Sequence, residues 1–130
     1  MYELTLADKV WNRACMGPEY ASMPGDSALE AMIHFHSVAM NGGVLHAIGC
    51  WSSDELEAIK NGYRYFGIDE ISELIATAQA ALQNGVLEEV LEETLDREYA
   101  ARVPDDATLA QAFEAHYKSN PESYAPFAQD

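Results

Sequence analysis

The sequence predicts a compact all-α bundle of six to seven helices in a single domain spanning residues 1–130, and three observations carry that prediction. Apolar residues recur at helical spacing along nearly the whole chain, with no alternating run long enough for a useful strand. Glycine and proline interrupt the pattern at helix-length intervals: Gly17-Pro18, Asn41-Gly42-Gly43, Gly67, Gly85, Pro104 and Asn120-Pro121. Apolar residues also make up 48% of the 130, enough for one sizeable core and too many for a disordered chain.

A first helix over about 4–16 places Leu6, Val10, Trp11, Ala14 and Cys15 on one side. Gly17-Pro18 closes it, and Pro18 to Gly25 reads as a loop. Ser27 with Glu30 has the spacing of a capping box, which would open a second helix at that point. Leu29, Met32, Ile33, His36 and Met40 form its stripe, and Phe35 and Val38 widen it, so this is the expected central helix. Asn41-Gly42-Gly43 stops it, and Val44 to Cys50 is long enough for one or two further turns.

Ser52 as N-cap, Glu55 three residues on and Trp51 facing Leu56 specify the next helix start, by capping box and hydrophobic staple. That helix buries Leu56, Ile59, Tyr63 and Phe66, and Gly67 is its expected left-handed terminator. From about Asp69 to Asn84, Ile71, Leu74, Ile75, Ala78 and Leu82 point inward, and Gly85 ends the run. An acidic helix follows from about Val86 to Arg102, with Leu87, Val90, Leu91, Leu95 and Tyr99 inward. Pro104-Asp105-Asp106 resets the chain for a last helix over 107–118.

Composition excludes several function classes. No basic segment followed by an apolar one opens the chain, and no apolar run approaches a membrane span, so a cytoplasmic protein with no membrane contact is expected. Cys15 and Cys50 are expected as buried, reduced thiols. Twenty-two Asp and Glu against 7 Lys and Arg leave a formal charge of -15, which repels nucleic acid and attracts basic protein surfaces. His34 and His36 lie about 200° apart on a helix and cannot share one metal ion. His36 falls in the apolar stripe, where bonding to a backbone carbonyl is expected. Asn41-Gly42-Gly43 lacks the preceding strand and the lysine of a phosphate loop. Cys50 near His46 has no nameable orienting group or oxyanion donor, and His116 stands alone. The expectation is therefore no catalytic residue, no metal and no cofactor.

The acids remain. Asp26, Glu30, Asp54, Glu55, Asp69, Glu70, Glu88, Glu89, Asp105 and Asp106 sit near expected helix N-termini, where free N–H groups and the macrodipole stabilise carboxylates. Glu98 is expected to pair with Arg102. Glu92, Glu93 and Asp96 lie past the first turn and stack on Glu88 and Glu89, at a cost on the order of 1 kcal/mol in like-charge repulsion. The five carboxylates span an arc of roughly 140°, expected opposite the leucine stripe. Members of the 88/92/96 row rise about 6 Å apart. These five form the candidate partner-binding face, with Asp54, Glu55, Glu57, Glu70 and Glu73 as a second patch.

Three segments give the chain a wider likeness: Met40-Asn41-Gly42-Gly43-Val44-Leu45-His46-Ala47-Ile48, the alanine-rich run Ile71 to Leu82, and His116 to Pro121 continuing to Phe127. In these it resembles a family of small bacterial all-α proteins, largely of unknown function, that includes a dimeric DNA-mimic protein. The resemblance covers roughly residues 26–127. It departs at Val44, where the family commonly has an aromatic residue, and in extra residues between Pro121 and Phe127. It implies an all-α fold, homodimerisation and surface carboxylates acting as phosphate surrogates. The expected partner is thus a basic protein surface such as a DNA-binding regulator, with no direct nucleic-acid contact. The alternatives are an immunity-type or toxin-neutralising inhibitor that uses a specific patch, or a protein with no mimicry role whose acids form a solvated face.

Overall fold

The computed structural model describes residues 5–16, 23–86 and 88–127. Among them are seven α-helices and no strand: α1 (Leu6–Met16), α2 (Pro24–Gly42), α3 (Val44–Gly49), α4 (Ser53–Tyr65), α5 (Asp69–Gln83), α6 (Glu88–Arg102) and α7 (Asp106–Ser119). A 3₁₀ turn over Pro121–Ser123 leads into an extended tail. The expected all-α bundle is what forms. The stop at Gly17-Pro18 and the inward Leu87 lie outside the described residues.

The central helix is α2. It packs on α1, α3 and α4, while α5 lies between α4 and α6, and α3 leans on α6. Leu29, Met32 and Phe35 on α2 are fully buried, together with Tyr63, Ile71, Ile75 and Leu109 from three helices around them. Gly62 lets α4 cross α2 closely, because a Cβ there would stand 2.8 Å from the Ala28 carbonyl oxygen. The capping box at Ser52 and Glu55 forms in both directions, at 3.2 and 2.9 Å. Gly67 and Gly85 take the left-handed conformation after α4 and α5.

Several sequence expectations are corrected. No Ser27 capping box forms: α2 starts earlier, at Pro24, because proline is pre-set for a first helical turn. Leu6, Met40 and Val90 are exposed rather than inward, since the stripes of α1, α2 and α6 are narrower than their apolar content. Cys15 and Cys50 are exposed free thiols, and crowding of Cys15 by its neighbours pushes its pKa up. His36 is buried as expected but bonds no carbonyl. Its Nδ1 lies 2.8 Å from the Tyr99 hydroxyl and its Nε2 2.6 Å from Asp106, while Tyr63 and Tyr99 hydroxyls are 2.8 Å apart. One assignment gives each hydroxyl proton an acceptor: Tyr63 donates to Tyr99, Tyr99 to Nδ1, and Nε2–H to the Asp106 carboxylate.

The tail is held by a second polar cluster. Arg13 Nη2 donates to Asp26 at 2.9 Å and to the Ala125 carbonyl at 2.8 Å, and Ala125 N–H donates back to Asp26 at 2.8 Å. Phe127 lies under the guanidinium, 4.2 Å from ring centre to Cζ. Tyr124 in the tail meets His116 of α7 at 2.8 Å, and burial holds the His116 pKa below its ordinary value.

Two predictions follow from these clusters. Asp26→Ala leaves a half-paired, nearly buried arginine, so it costs about 3–5 kcal/mol in urea unfolding. The same change exposes the Ala125 amide to hydrogen exchange. At high pH, burial holds the phenols of Tyr63, Tyr99 and Tyr124 well above the ordinary value. The unfolded chain releases those protons near pH 10 while the folded chain keeps them, so stability falls as pH rises above about 10. Three of the seven tyrosines should therefore ionise only as helical circular dichroism is lost, seen as a tyrosinate absorbance step coincident with unfolding.

Candidate interaction face

Helix α6 is only weakly two-sided. Leu91, Leu95 and Tyr99 are its buried residues, and Val90 stands on the side away from them, 61% exposed. With about 100° per residue, the arc from Glu88 to Asp96 therefore flanks the leucine stripe instead of opposing it. That corrects the expected placement, and it separates the five carboxylates by what each one does.

Asp96 belongs to the architecture. Its Oδ1 accepts the Val44 N–H at 2.9 Å, capping α3 from another helix. Six-residue α3 begins after Gly43, which has φ of +95° and no capping side chain of its own. Asp96 supplies the missing acceptor and a negative charge at the positive end of that helix. A Cβ on Gly43 would sit 3.3 Å from the same carboxylate, so the position needs glycine for both space and φ. Glu93 pairs with Arg97 at 3.0 Å, both exposed. Glu88, Glu89 and Glu92 are exposed and have no hydrogen bond or ion pair among the described residues. Glu88 and Glu92 border one shallow hollow with His46 and Leu82.

The second patch does not form a single surface. Asp54, Glu55 and Glu57 lie at the start of α4, whereas Glu70 and Glu73 lie at the start of α5, where α4 has ended. The separation is about one helix length, roughly 20 Å for 13 residues. Glu55 is held by the capping box. Lys60 donates to Glu57 at 2.9 Å and keeps its carboxyl below the ordinary carboxylate range. Arg102 binds Glu70 at 2.8 Å and not the Glu98 carboxylate, touching only the Glu98 carbonyl. The expected Glu98–Arg102 pair is thus replaced by a bond from α6 to α5, because the antiparallel turn brings the end of α6 to the start of α5. That leaves Glu98 beside Glu73 in a hollow that also holds Glu70 and Arg102. Asp54 and Glu73 are exposed without partners among the described residues.

Of the ten candidates, five remain unneutralised: Asp54, Glu73, Glu88, Glu89 and Glu92. Glu98 joins them from the far flank of α6, and sequence spacing had hidden it behind its apparent partner. For other chemistry the described residues offer little. No group of three or more His, Cys, Asp or Glu among them is placed to hold a metal. The His46 Nε2 and Cys50 Sγ stand 3.8 Å apart on the surface, with no carboxylate bonded to the imidazole. No helix among the described residues is long and apolar enough to cross a membrane. No family model, curated protein or solved structure matches the chain.

The division of labour within α6 is measurable. Asp96→Ala should cost about 0.5–2 kcal/mol in urea unfolding, the range for losing a helix cap. Glu92→Gln should stay within about 0.5 kcal/mol, as expected for a surface site with no partner. Equal costs at the two positions would remove the capping role from Asp96.

Proposed function

We propose that this protein is a non-enzymatic interaction module whose unneutralised carboxylates occupy the nucleic-acid-binding surface of a basic partner, in the manner of a DNA mimic. The observation that carries the reading is that Glu88, Glu89 and Glu92 stand exposed along α6 with no hydrogen bond or ion pair among the described residues. A fold that ties down Asp96, Glu93 and Glu70 with hydrogen bonds or arginines leaves Glu92 without a partner, and leaves Glu88 and Glu89, in the first turn of α6, with only the helix N-terminus to stabilise them. Each carboxylate would take the place of a phosphate, and lysines or arginines of the partner would pair with it. Glu73 and Glu98 extend the face around the other flank of α6.

Such an encounter is steered by the -15 charge and weakens steeply with salt. The resemblance to the family containing a DNA-mimic protein agrees with this reading. A homodimer would bring two such faces together on one particle.

The test uses the immobilised protein and native cell extract, eluted in steps of rising salt. DNA-binding proteins should be released at moderate salt, and a DNA fragment of their site should compete them off. The variant carrying Glu88→Gln, Glu89→Gln and Glu92→Gln should bind the recovered partner roughly tenfold more weakly, at ~0.2–1 kcal/mol per exposed pair. Its helical circular dichroism should be unchanged, since glutamine is nearly as good a helix former as glutamate. Retention that ignores both the triple variant and competing DNA overturns the proposal.

A further inference from the structure

A second anionic feature lies away from α6, in a pocket of about 160 Å³ between α2 and α4. Glu30 and His34 form its α2 wall and Glu55 its α4 wall, with Trp51 at one end and Ile59 among small apolar residues on the floor. The capping box expected of Glu30 is absent, because α2 begins at Pro24 and carries Glu30 in its second turn. The carboxylate is instead folded into the pocket, its side chain 21% exposed, with His34 Nδ1 3.0 Å from Oε1. No hydrogen bond among the described residues reaches its second oxygen. Glu55 likewise spends one oxygen on the Ser52 N–H and has the other uncommitted.

Trp51 is half-buried, and its ring is backed by Phe35 at 5.8 Å between centroids, so the indole is a fixed plate. No lysine or arginine lines the pocket. A carboxylate with one oxygen on His34 and the other uncommitted, beside an aromatic plate in a cavity with no lysine or arginine, suits one chemistry best. That chemistry is a planar cation that donates hydrogen bonds to carboxylates from its edge and lays its face on an aromatic ring. An anion would meet two carboxylates, and a neutral apolar group would leave both unpaired as it displaced their water.

We infer that this pocket receives a single arginine side chain of the basic partner. Its guanidinium lies against Trp51 and bonds Glu30 and Glu55, and its methylene stem runs over Ile59. The inference rests on the proposed interaction role for its biological source, though not for its chemistry. The α6 face gives diffuse attraction, whereas the pocket gives register, as a buried arginine anchor does at protein interfaces.

The two tryptophans provide the readout, because Trp11 packs at a tilt against Phe113 elsewhere in the molecule and serves as an internal control. N-acetyl-arginine amide is titrated against the full chain, and both indole N–H resonances are followed by NMR. The Trp51 signal should shift saturably while Trp11 stays still. N-acetyl-citrulline amide, of the same shape without the charge, should produce no saturable shift. Glu30→Gln should weaken the arginine probe at least tenfold, and Glu55→Gln, which keeps a capping side chain, should weaken it by a smaller factor. Glu88→Gln with Glu92→Gln should leave the titration unchanged. An absent Trp51 shift, an equal response to citrulline, or arginine binding unaltered in both pocket variants overturns the inference. Probe binding at Trp51 without any retained partner would sink the interaction role alone, and a retained partner with a silent Trp51 would sink the pocket alone.

Discussion

The arrangement of α6 and α7 depends on one buried imidazole. Helix α2 buries two polar side chains, Asp26 near its start and His36 deep in its apolar face, where α6 and α7 reach it. An unpartnered ring there would cost about 1–3 kcal/mol. The Tyr99 hydroxyl, the Asp106 carboxylate and, behind Tyr99, the Tyr63 hydroxyl meet that demand along a single line of bonds. Those three residues come from α6, α7 and α4, so satisfying one histidine sets the positions of three other helices about α2. Asp106 is itself mostly in water, which lets the chain of buried hydroxyls end on a charge without desolvating it.

The large negative charge is compatible with this core because many of the acids have structural work. Asp26 is buried against Arg13 and clamps the tail, Asp105 caps α7, Glu55 caps α4, and Asp96 caps α3 across a helix–helix contact. These carboxylates are offset by N–H donors or by a guanidinium, so they stabilise where free acids would repel. Few cations are available for this work. Arg13, Arg97 and Arg102 each meet a carboxylate, and Lys60 meets Glu57. Of the described acids with no hydrogen bond or ion pair, Glu88, Glu89, Glu92 and Glu98 lie along α6 while Asp54, Asp69, Glu73, Glu114 and Glu122 are spread over other elements, and the run on α6 gives the functional proposal its place.

What the sequence made legible was local. Ser52 with Glu55, and Gly67 and Gly85, act on neighbours three or four residues away, so their roles can be read by spacing alone. The same local logic misled where a distant partner outcompeted the near one. Ser27 and Glu30 have the spacing of a capping box, but Pro24 starts the helix a turn earlier and releases Glu30 into a pocket. Arg102 had Glu98 at ideal helical spacing and instead bonds Glu70, 32 residues away, because α5 and α6 run antiparallel. Asp96 looked idle for the same reason, its N–H donor lying 52 residues upstream. The overall bundle and the identity of the acidic helix were therefore readable, whereas the job of each carboxylate was not.

The pairing of Asp96 with Gly43 shows why the acidic face is tied to this fold rather than merely displayed on it. Helix α3 is too short to be stable alone, since nucleating a turn costs more than a few intrahelical bonds return. It persists because α6 supplies its cap and because Val44, Ala47 and Ile48 are buried in the core. Helix α6 in turn packs on α3 and α5, so the carboxylate that holds α3 also fixes the rotation of α6 about its axis. At about 100° per residue Asp96 lies between Glu92 and Glu89 on the same flank, so what singles it out is its level along α6, at the start of α3, while Glu88, Glu89 and Glu92 stay exposed. One glutamate-rich sequence thus divides into a structural acid and exposed ones. A change that broke the Asp96 cap would disturb the display of the others even though it left every one of their carboxylates in place.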